Sequence, residues 1–132
     1  MKSATKSWAV GLLILALLLF FAPALQPLLR ADFTCGYDNV FHLWRAVQID
    51  HLWSQGVLFS RWAPDMAHGF GFPLFLFMPP GTAVGAALLH WLGLAWPVAL
   101  NALLALGMIA GGLFMFALAR DLFGSYAGMV AA

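Results

Sequence analysis

The sequence contains few charged residues and no glutamate. Aspartate, lysine and arginine together make up 8% of its 132 residues, whereas hydrophobic residues make up 64%. Soluble domains have about 25% charged residues. A surface with so little charge does not keep a folded chain in water. The composition therefore excludes an ordinary soluble domain and predicts an integral membrane protein.

Cysteine and clustered basic residues are also scarce. Cys35 is the single cysteine, which excludes an internal disulfide and a cysteine-based zinc site but still allows a bridge to another chain. The six lysines and arginines are scattered singly against five aspartates, and the formal net charge is +1. A nucleic-acid partner is not expected, because no basic patch is available to bind its phosphates.

Two long apolar runs have the length of membrane-spanning helices. They are WAVGLLILALLLFFAPALQPLL at 8–29, within an N-terminal segment 1–29, and the run 97–119. Lysines precede the first run, so the positive-inside rule places the N-terminus in the cytoplasm. A second interpretation stands beside this one. A basic start, an apolar run and Ala-Pro-Ala at 22–24 also suit a cleaved secretory signal.

Polar residues concentrate between the two runs, which predicts that 30–96 is a loop outside the cytoplasm. Apolar spacing predicts a helix at 38–55 that lies at the membrane interface. The apolar stretch at about 81–94 is too short to span and is predicted to be a second interfacial helix, with a span through 74–96 as the alternative. Residues 120–132 are expected to be a cytoplasmic turn and the start of a truncated helix. The chain is therefore expected to be the N-terminal part of a longer protein.

The predicted helix 38–55 has two different faces. Its apolar face is expected to contact lipid or packed helices and consists of Val40, Leu43, Trp44 and Val47. Asp38, His42 and Arg45 lie on the opposite face, which is expected to point into the protein. Asp50 and His51 lie off that polar face and are predicted to point to solvent.

The spacing of Asp38 and His42 allows a carboxylate and an imidazole to approach one metal ion or one substrate proton. The alternative is an aspartate stabilised by the helix dipole beside a solvated histidine. Arg45 and Arg61 have guanidinium groups that match phosphate oxygens, although such side chains also extend to lipid head groups as membrane anchors.

The segment 59–81 is rich in proline and glycine and is predicted to be an ordered irregular loop. Asp65 and His68 within it pose the same choice between a site and local structure. Asp65 follows a proline, a position where aspartate commonly serves a turn or caps a helix. The sequence therefore favours turn chemistry for this pair.

The segment DNVFHLWRAVQIDHLWSQGVLFSRWAPDMAHGFGFPLFLFMPP at 38–80, about a third of the chain, resembles a bacterial family of multi-pass membrane proteins. That family is labelled 6-pyruvoyl-tetrahydropterin synthase-related and lies within the GT-C-like glycosyltransferase superfamily. Its pattern is an Asp and a His before a helix, Arg-Trp-x-Pro, Gly-x-Gly-aromatic-Pro-Leu-Phe and a double proline. The matching positions here are Asp38, His42, 61–64, 69–75 and 79–80. Phe72 and Met78 depart slightly from the usual residues.

The resemblance implies an all-α, polytopic GT-C-like fold in the cell inner (plasma) membrane, with interfacial helices in the first outer loop. It implies sugar transfer from a polyprenyl-phosphate donor on the outer side, with membrane lipid as a further partner. Asp38 would be the general base or metal-binding carboxylate, His42 its partner, and Arg45 or Arg61 the phosphate contact. A divalent metal, held by Asp38 and His42, is the candidate cofactor. Pterin chemistry is not implied, because no three-histidine zinc arrangement matches.

Three functional hypotheses follow. The glycosyltransferase hypothesis expects Asp38 to be buried in a cavity at the membrane surface. The second hypothesis is a non-catalytic polytopic membrane protein of envelope or polysaccharide assembly, which would have the same loop without a donor cavity. A transporter or channel would need ionisable residues within its spans, and Asn101 is the one strongly polar residue in the middle of a predicted span.

Overall fold

The computed structural model of the chain is mostly helical, which confirms the prediction of an all-α protein. It describes residues 4–33, 36–124, 128 and 130–131. The α-helices among them are α1 (Ala4–Leu25), α2 (Asn39–Ser54), α3 (Leu74–Phe77), α4 (Gly81–Trp91) and α5 (Trp96–Phe123). Across the described ranges, the backbone pairing of β type is limited to one isolated antiparallel bridge between Ala63 and Phe72. Cys35 lies outside the described residues, as do positions 125–127, 129 and 132 of the predicted turn and truncated helix.

The chain divides into two compact units. One unit comprises Met1–Leu28 and Leu104–Ala132, and the other comprises Leu29–Leu103. The second unit holds α2, α3, α4 and the first turns of α5, together with every residue predicted to form the site.

The first unit contains α1 and most of α5. Among the described residues, α5 is the one helix long and apolar enough to cross a membrane, with 28 residues and a mean hydropathy of 2.3. Only 17% of its most apolar window is buried inside the protein, so packing within the chain does not account for its apolar surface. This supports membrane association. In the first predicted span, α1 contains Pro23 and ends at Leu25, and a 3-10 helix, Gln26–Leu29, follows.

The second unit is built on the packing of α2 against α4. Its core is a cluster of buried apolar side chains: Ile49, Leu52, Ala63, Leu74, Phe75, Ala83 and Ala87. Ala46 and Ala86, both fully buried, form a neighbouring cluster with Leu100. Small side chains at these positions allow the two helices to approach closely.

The ends of α2 and α4 follow from local sequence. α4 begins directly after Pro80, since proline is well suited to the start of a helix and cannot donate a backbone hydrogen bond. Gly56 and Gly93 follow the two helices with φ angles of +79° and +100°, a backbone region that favours glycine and ends helices. α4 therefore stops at Trp91, three residues before the end of the predicted helix 81–94.

The buried face of α2 is not the apolar face predicted from residue spacing. Ala46, Ile49 and Leu52 form its buried apolar side, whereas Val40 and Trp44 are exposed. The spacing of large apolar residues predicted an apolar face of α2, but this is not the face that contacts α4. Ala46 and Ala86 allow that contact because they are small, and alanine gives only a weak hydrophobic signal.

Candidate functional site

Asp38 stands immediately before α2, in the N-cap position. Its side chain makes no capping hydrogen bond, and the residue is exposed. The backbone N–H of His42 donates to the Asp38 carbonyl oxygen at 3.0 Å, which places the two residues one helical turn apart. Within the described ranges, neither the Asp38 carboxylate nor the His42 imidazole forms a side-chain hydrogen bond or ion pair. Asp38 is thus not committed to a capping hydrogen bond.

Arg45 lies on the next turn of α2 and is half-buried. Its Nε is buried and has no hydrogen-bond partner among the described residues. A buried donor left unsatisfied costs about 1–3 kcal/mol, more for a charged group, so an acceptor is expected to satisfy it in the functional state. Arg61 is exposed on the loop after α2, where its carbonyl oxygen accepts the backbone N–H of Phe75 at 3.2 Å. Three of the four predicted site residues therefore follow one another along α2, and Arg61 does not lie on that helix.

The described residues contain no large cluster of metal-binding side chains. In the part of the chain that the structure describes, no group of three or more His, Cys, Asp or Glu side chains could hold a metal ion. Asp38 and His42 offer two ligands, fewer than the three or four protein ligands of a zinc site. A magnesium ion is commonly held by one or two carboxylates together with substrate phosphates, so it would need fewer protein ligands.

An open cleft of about 470 Å³ lies between α2 and the loop that follows it. Its walls combine apolar and aromatic side chains with one carboxylate and one imidazole: Val40, Phe41, Trp44, Asp65, Met66, Ala67 and His68. Asp38, His42, Arg45 and Arg61 are not among these lining residues. The pair for which turn chemistry was favoured, Asp65 and His68, thus lines a cleft, whereas exposed Asp38 does not meet the expectation of burial in a cavity.

A buried glutamine fixes the position of Asp65. Gln48 is completely buried, and its Nε2 donates to Asp65 Oδ2 at 3.0 Å while its Oε1 accepts the Asp65 backbone N–H at 2.9 Å. His51 Nδ1 lies 3.7 Å from the same Oδ2. Both ends of the Gln48 amide are therefore used to hold one aspartate against α2.

The rest of the loop is closed by backbone hydrogen bonds. Ala63 and Phe72 exchange two N–H to oxygen bonds of 2.8 and 3.0 Å, and the Gly71 N–H donates to the Met66 carbonyl at 2.8 Å. Ala67 and His68 have φ angles of 53° and 57°, in the left-handed region that non-glycine residues seldom occupy. The segment is ordered and irregular as predicted, although its last part includes the short helix α3.

Several residues of this arrangement were not found by sequence reasoning. Gln48 and Asp65 are 17 positions apart, and no local spacing rule connects them. The only available signal was an uncharged polar residue among the apolar positions of α2. Asp50 was predicted to face solvent, but its Oδ1 accepts a hydrogen bond from Trp91 Nε1 at 2.6 Å, which links α2 to α4. His51 forms a hydrogen bond with Gln55, the residue that follows α2, and also approaches Asp65.

Asn101 has a structural role in the second unit. It is almost fully buried, and its Nδ2 donates to the carbonyl oxygens of Arg30 and Asp32 at 3.2 and 3.0 Å. The Asn101 amide, which the transporter hypothesis singled out, therefore holds the chain segment after the 3-10 helix against α5.

No protein-family model, curated protein or solved structure matches this chain.

Proposed function

We propose that this chain acts in an integral membrane glycosyltransferase of the GT-C type, which transfers a sugar from a polyprenyl-phosphate donor on the outer side of the membrane. One observation carries the proposal. Asp38, His42 and Arg45 present an acid, an imidazole and a guanidinium on successive turns of α2, and none of the three has a side-chain partner among the described residues.

The proposed chemistry assigns one step to each group. The Asp38 carboxylate accepts the proton of the acceptor hydroxyl while the acceptor oxygen bonds to the anomeric carbon of the sugar. The bond from that carbon to the donor phosphate breaks, and the phosphate leaves with the electron pair. Arg45 binds the phosphate oxygens, which would satisfy its buried Nε. His42, one turn further along the helix, is proposed as the partner of Asp38, and Arg61 as a second phosphate contact.

The location proposed for this chemistry is the outer surface of the inner membrane. α5 supplies one candidate span, and α1 is proposed as another in a multi-pass arrangement. A polyprenyl phosphate presents its phosphate at head-group depth and its tail in hydrocarbon. The exposed apolar side chains Val40 and Trp44 on α2 suit a helix that lies at the same depth.

A second function is favoured by one specific observation. Asp38 is exposed and lies outside the cleft beside α2. A non-catalytic polytopic protein of envelope or polysaccharide assembly would need no buried general base and is consistent with that position.

Sugar transfer by the Asp38→Asn variant separates the two proposals. The complete reading frame that encodes this chain is expressed in membranes and supplied with radiolabelled polyprenyl-phosphate sugars. Because general acid–base catalysis contributes about a hundredfold or more to a rate, Asp38→Asn is expected to lose at least that factor in label transfer. Asp121→Asn is the matched control, since this exposed carboxylate accepts hydrogen bonds from Arg120 and from no other residue that the structure describes.

Two results would contradict the glycosyltransferase proposal. One is equal transfer by Asp38→Asn and wild type. The other is no transfer by wild type with any of several donor sugars, which would favour the assembly role instead.

A further inference from the structure

The cleft beside α2 combines aromatic surface with one carboxylate. Phe41 and Trp44 are each about half exposed, at 56% and 50%, although both are large apolar side chains. Asp65 and His68 supply the polar side chains of the described lining, and neither Lys nor Arg belongs to it. The lining therefore offers aromatic rings and a negative charge.

The Asp65 carboxylate is positioned with one oxygen unused. Oδ2 accepts the Gln48 amide and lies near His51, whereas no hydrogen bond or ion pair among the described residues uses Oδ1. The side chain remains 45% exposed, so a ligand in the cleft can reach it. The hydrogen bonds from the fully buried Gln48 hold the Asp65 carboxylate in place before any ligand binds. This preorganises the site, because an aspartate without such a partner would lose rotamer freedom on binding.

The backbone that forms the opposite wall is strained. Two consecutive non-glycine residues, Ala67 and His68, have left-handed φ angles. Each such residue costs about 1–3 kcal/mol and persists only where surrounding contacts impose it, which is common at ligand sites. Here the contacts are the Ala63–Phe72 bridge and the Gly71–Met66 hydrogen bond. They hold Ala67 and His68 beside the aromatic residues of α2.

We propose that this cleft binds an ammonium group, supplied by a zwitterionic lipid head group or by a soluble amine. A cation is attracted to the faces of aromatic rings and to a carboxylate, and aromatic and carboxylate side chains both line the cleft. A sugar ring is a poorer match, because its many hydroxyl groups need more hydrogen-bonding partners than Asp65 and His68 provide. The volume of about 470 Å³ accommodates a small organic cation. The site uses none of the residues proposed for sugar transfer, so it goes beyond that function and is tested separately.

Titration with choline tests the proposal. The 132-residue chain is purified in a maltoside detergent, and binding is measured by calorimetry against choline and against its uncharged carbon isostere. Choline is expected to bind at least about tenfold more tightly than the isostere, since loss of the cation–ring and cation–carboxylate attractions costs of the order of 1.4 kcal/mol.

Matched variants locate the binding. Phe41→Leu and Asp65→Asn are each expected to weaken choline binding several-fold. Phe77→Leu changes a helical phenylalanine outside the cleft that is 75% exposed, and Asp121→Asn changes a carboxylate outside it. Both variants are expected to bind choline as wild type does. Near-ultraviolet circular dichroism of each variant verifies that it is folded. Equal binding of choline and its isostere would overturn the proposal, as would choline binding that is unchanged in both cleft variants. Absence of choline binding by wild type would also overturn it.

The source of the ammonium group is determined by competition. The same titrations are repeated in nanodiscs of phosphatidylcholine and of phosphatidylglycerol. If the ligand is a lipid, choline is expected to bind more weakly in phosphatidylcholine than in phosphatidylglycerol, because the lipid competes for the cleft. This difference between the two lipids must disappear in Asp65→Asn. Equal choline binding in both lipids, with the cleft variants still impaired, identifies a soluble amine as the ligand.

Discussion

At the scale of single residues, the loop after α2 depends on a glycine that packs against an indole ring. Gly71 has a φ angle of +79°, and a Cβ atom added there would overlap the Trp62 side chain. Gly69 has a similar φ angle of +87°, but an added Cβ would have no neighbour within 4 Å. The two glycines share the same backbone requirement and differ in the space around them.

Gly71→Ala is therefore expected to destabilise the protein more than Gly69→Ala. Both variants place alanine in a left-handed conformation, and Gly71→Ala adds an overpacking cost of about 1–3 kcal/mol. Thermal unfolding of both variants in detergent, followed by intrinsic fluorescence, measures the difference. Equal unfolding midpoints would show that Trp62 moves aside without cost.

Residue roles could be predicted from the sequence only where local spacing determines them. The positions of Asp38 and His42 one turn apart follow from their separation in a helix. The contact between Gln48 and Asp65 does not, because it depends on how the loop returns to α2. For the same reason the sequence pointed to Asp38 as the residue in a cavity, whereas the structure brings Asp65 and His68 to the cleft.

At the scale of helices, α2 and α4 are joined through small side chains and one polar link. Ala46 and Ala86 are fully buried, and Trp91 of α4 bonds Asp50 of α2. Trp53 and Trp91 also meet edge to face, with ring centroids 5.6 Å apart. Apolar periodicity and the flanking glycines and prolines located these helices well. They could not define the packed faces, because alanine contributes to close approach without a strong hydrophobic signal.

Ala86→Leu is expected to separate α2 from α4. A leucine at this fully buried position forces overpacking, with an expected loss of about 1–3 kcal/mol of stability. Thr82→Leu is the control, since Thr82 lies on the same helix and is exposed. Thermal unfolding and limited proteolysis of the two variants measure the effect. A protein that tolerates both leucines equally would contradict close packing at Ala86.

At the scale of the whole molecule, the question is which parts contact the membrane and which lie outside the cytoplasm. α5 has the length and hydropathy of a span, and its apolar side chains are largely unburied. Which loops lie inside the cell and which lie outside is determined by the basic residues that flank the spans. The geometry of the helices does not contain this information. Six basic residues in the whole chain make that signal weak, which is why the sequence left 74–96 with two interpretations.

Labelling of the single native cysteine tests the predicted topology. With 30–96 outside the cytoplasm, Cys35 is expected to react with a membrane-impermeant maleimide in intact spheroplasts. A Cys35→Ser, Asp121→Cys variant is expected to react only after the membrane is permeabilised, because residue 121 is predicted to be cytoplasmic. Gel-shift analysis of both proteins reads out the reaction. The opposite pattern would invert the orientation, and labelling of both cysteines in intact spheroplasts would favour a span through 74–96.

The left-handed conformation of Ala67 also affects which mutations the protein would accumulate. Glycine at this position would relieve roughly 1–2 kcal/mol of backbone strain, so selection for heat resistance alone would favour Ala67→Gly. The same substitution would loosen the wall that holds His68 beside α2. Thermal stability and ligand affinity therefore favour different residues at position 67. A laboratory evolution experiment that selected only for thermal stability would reduce ligand affinity.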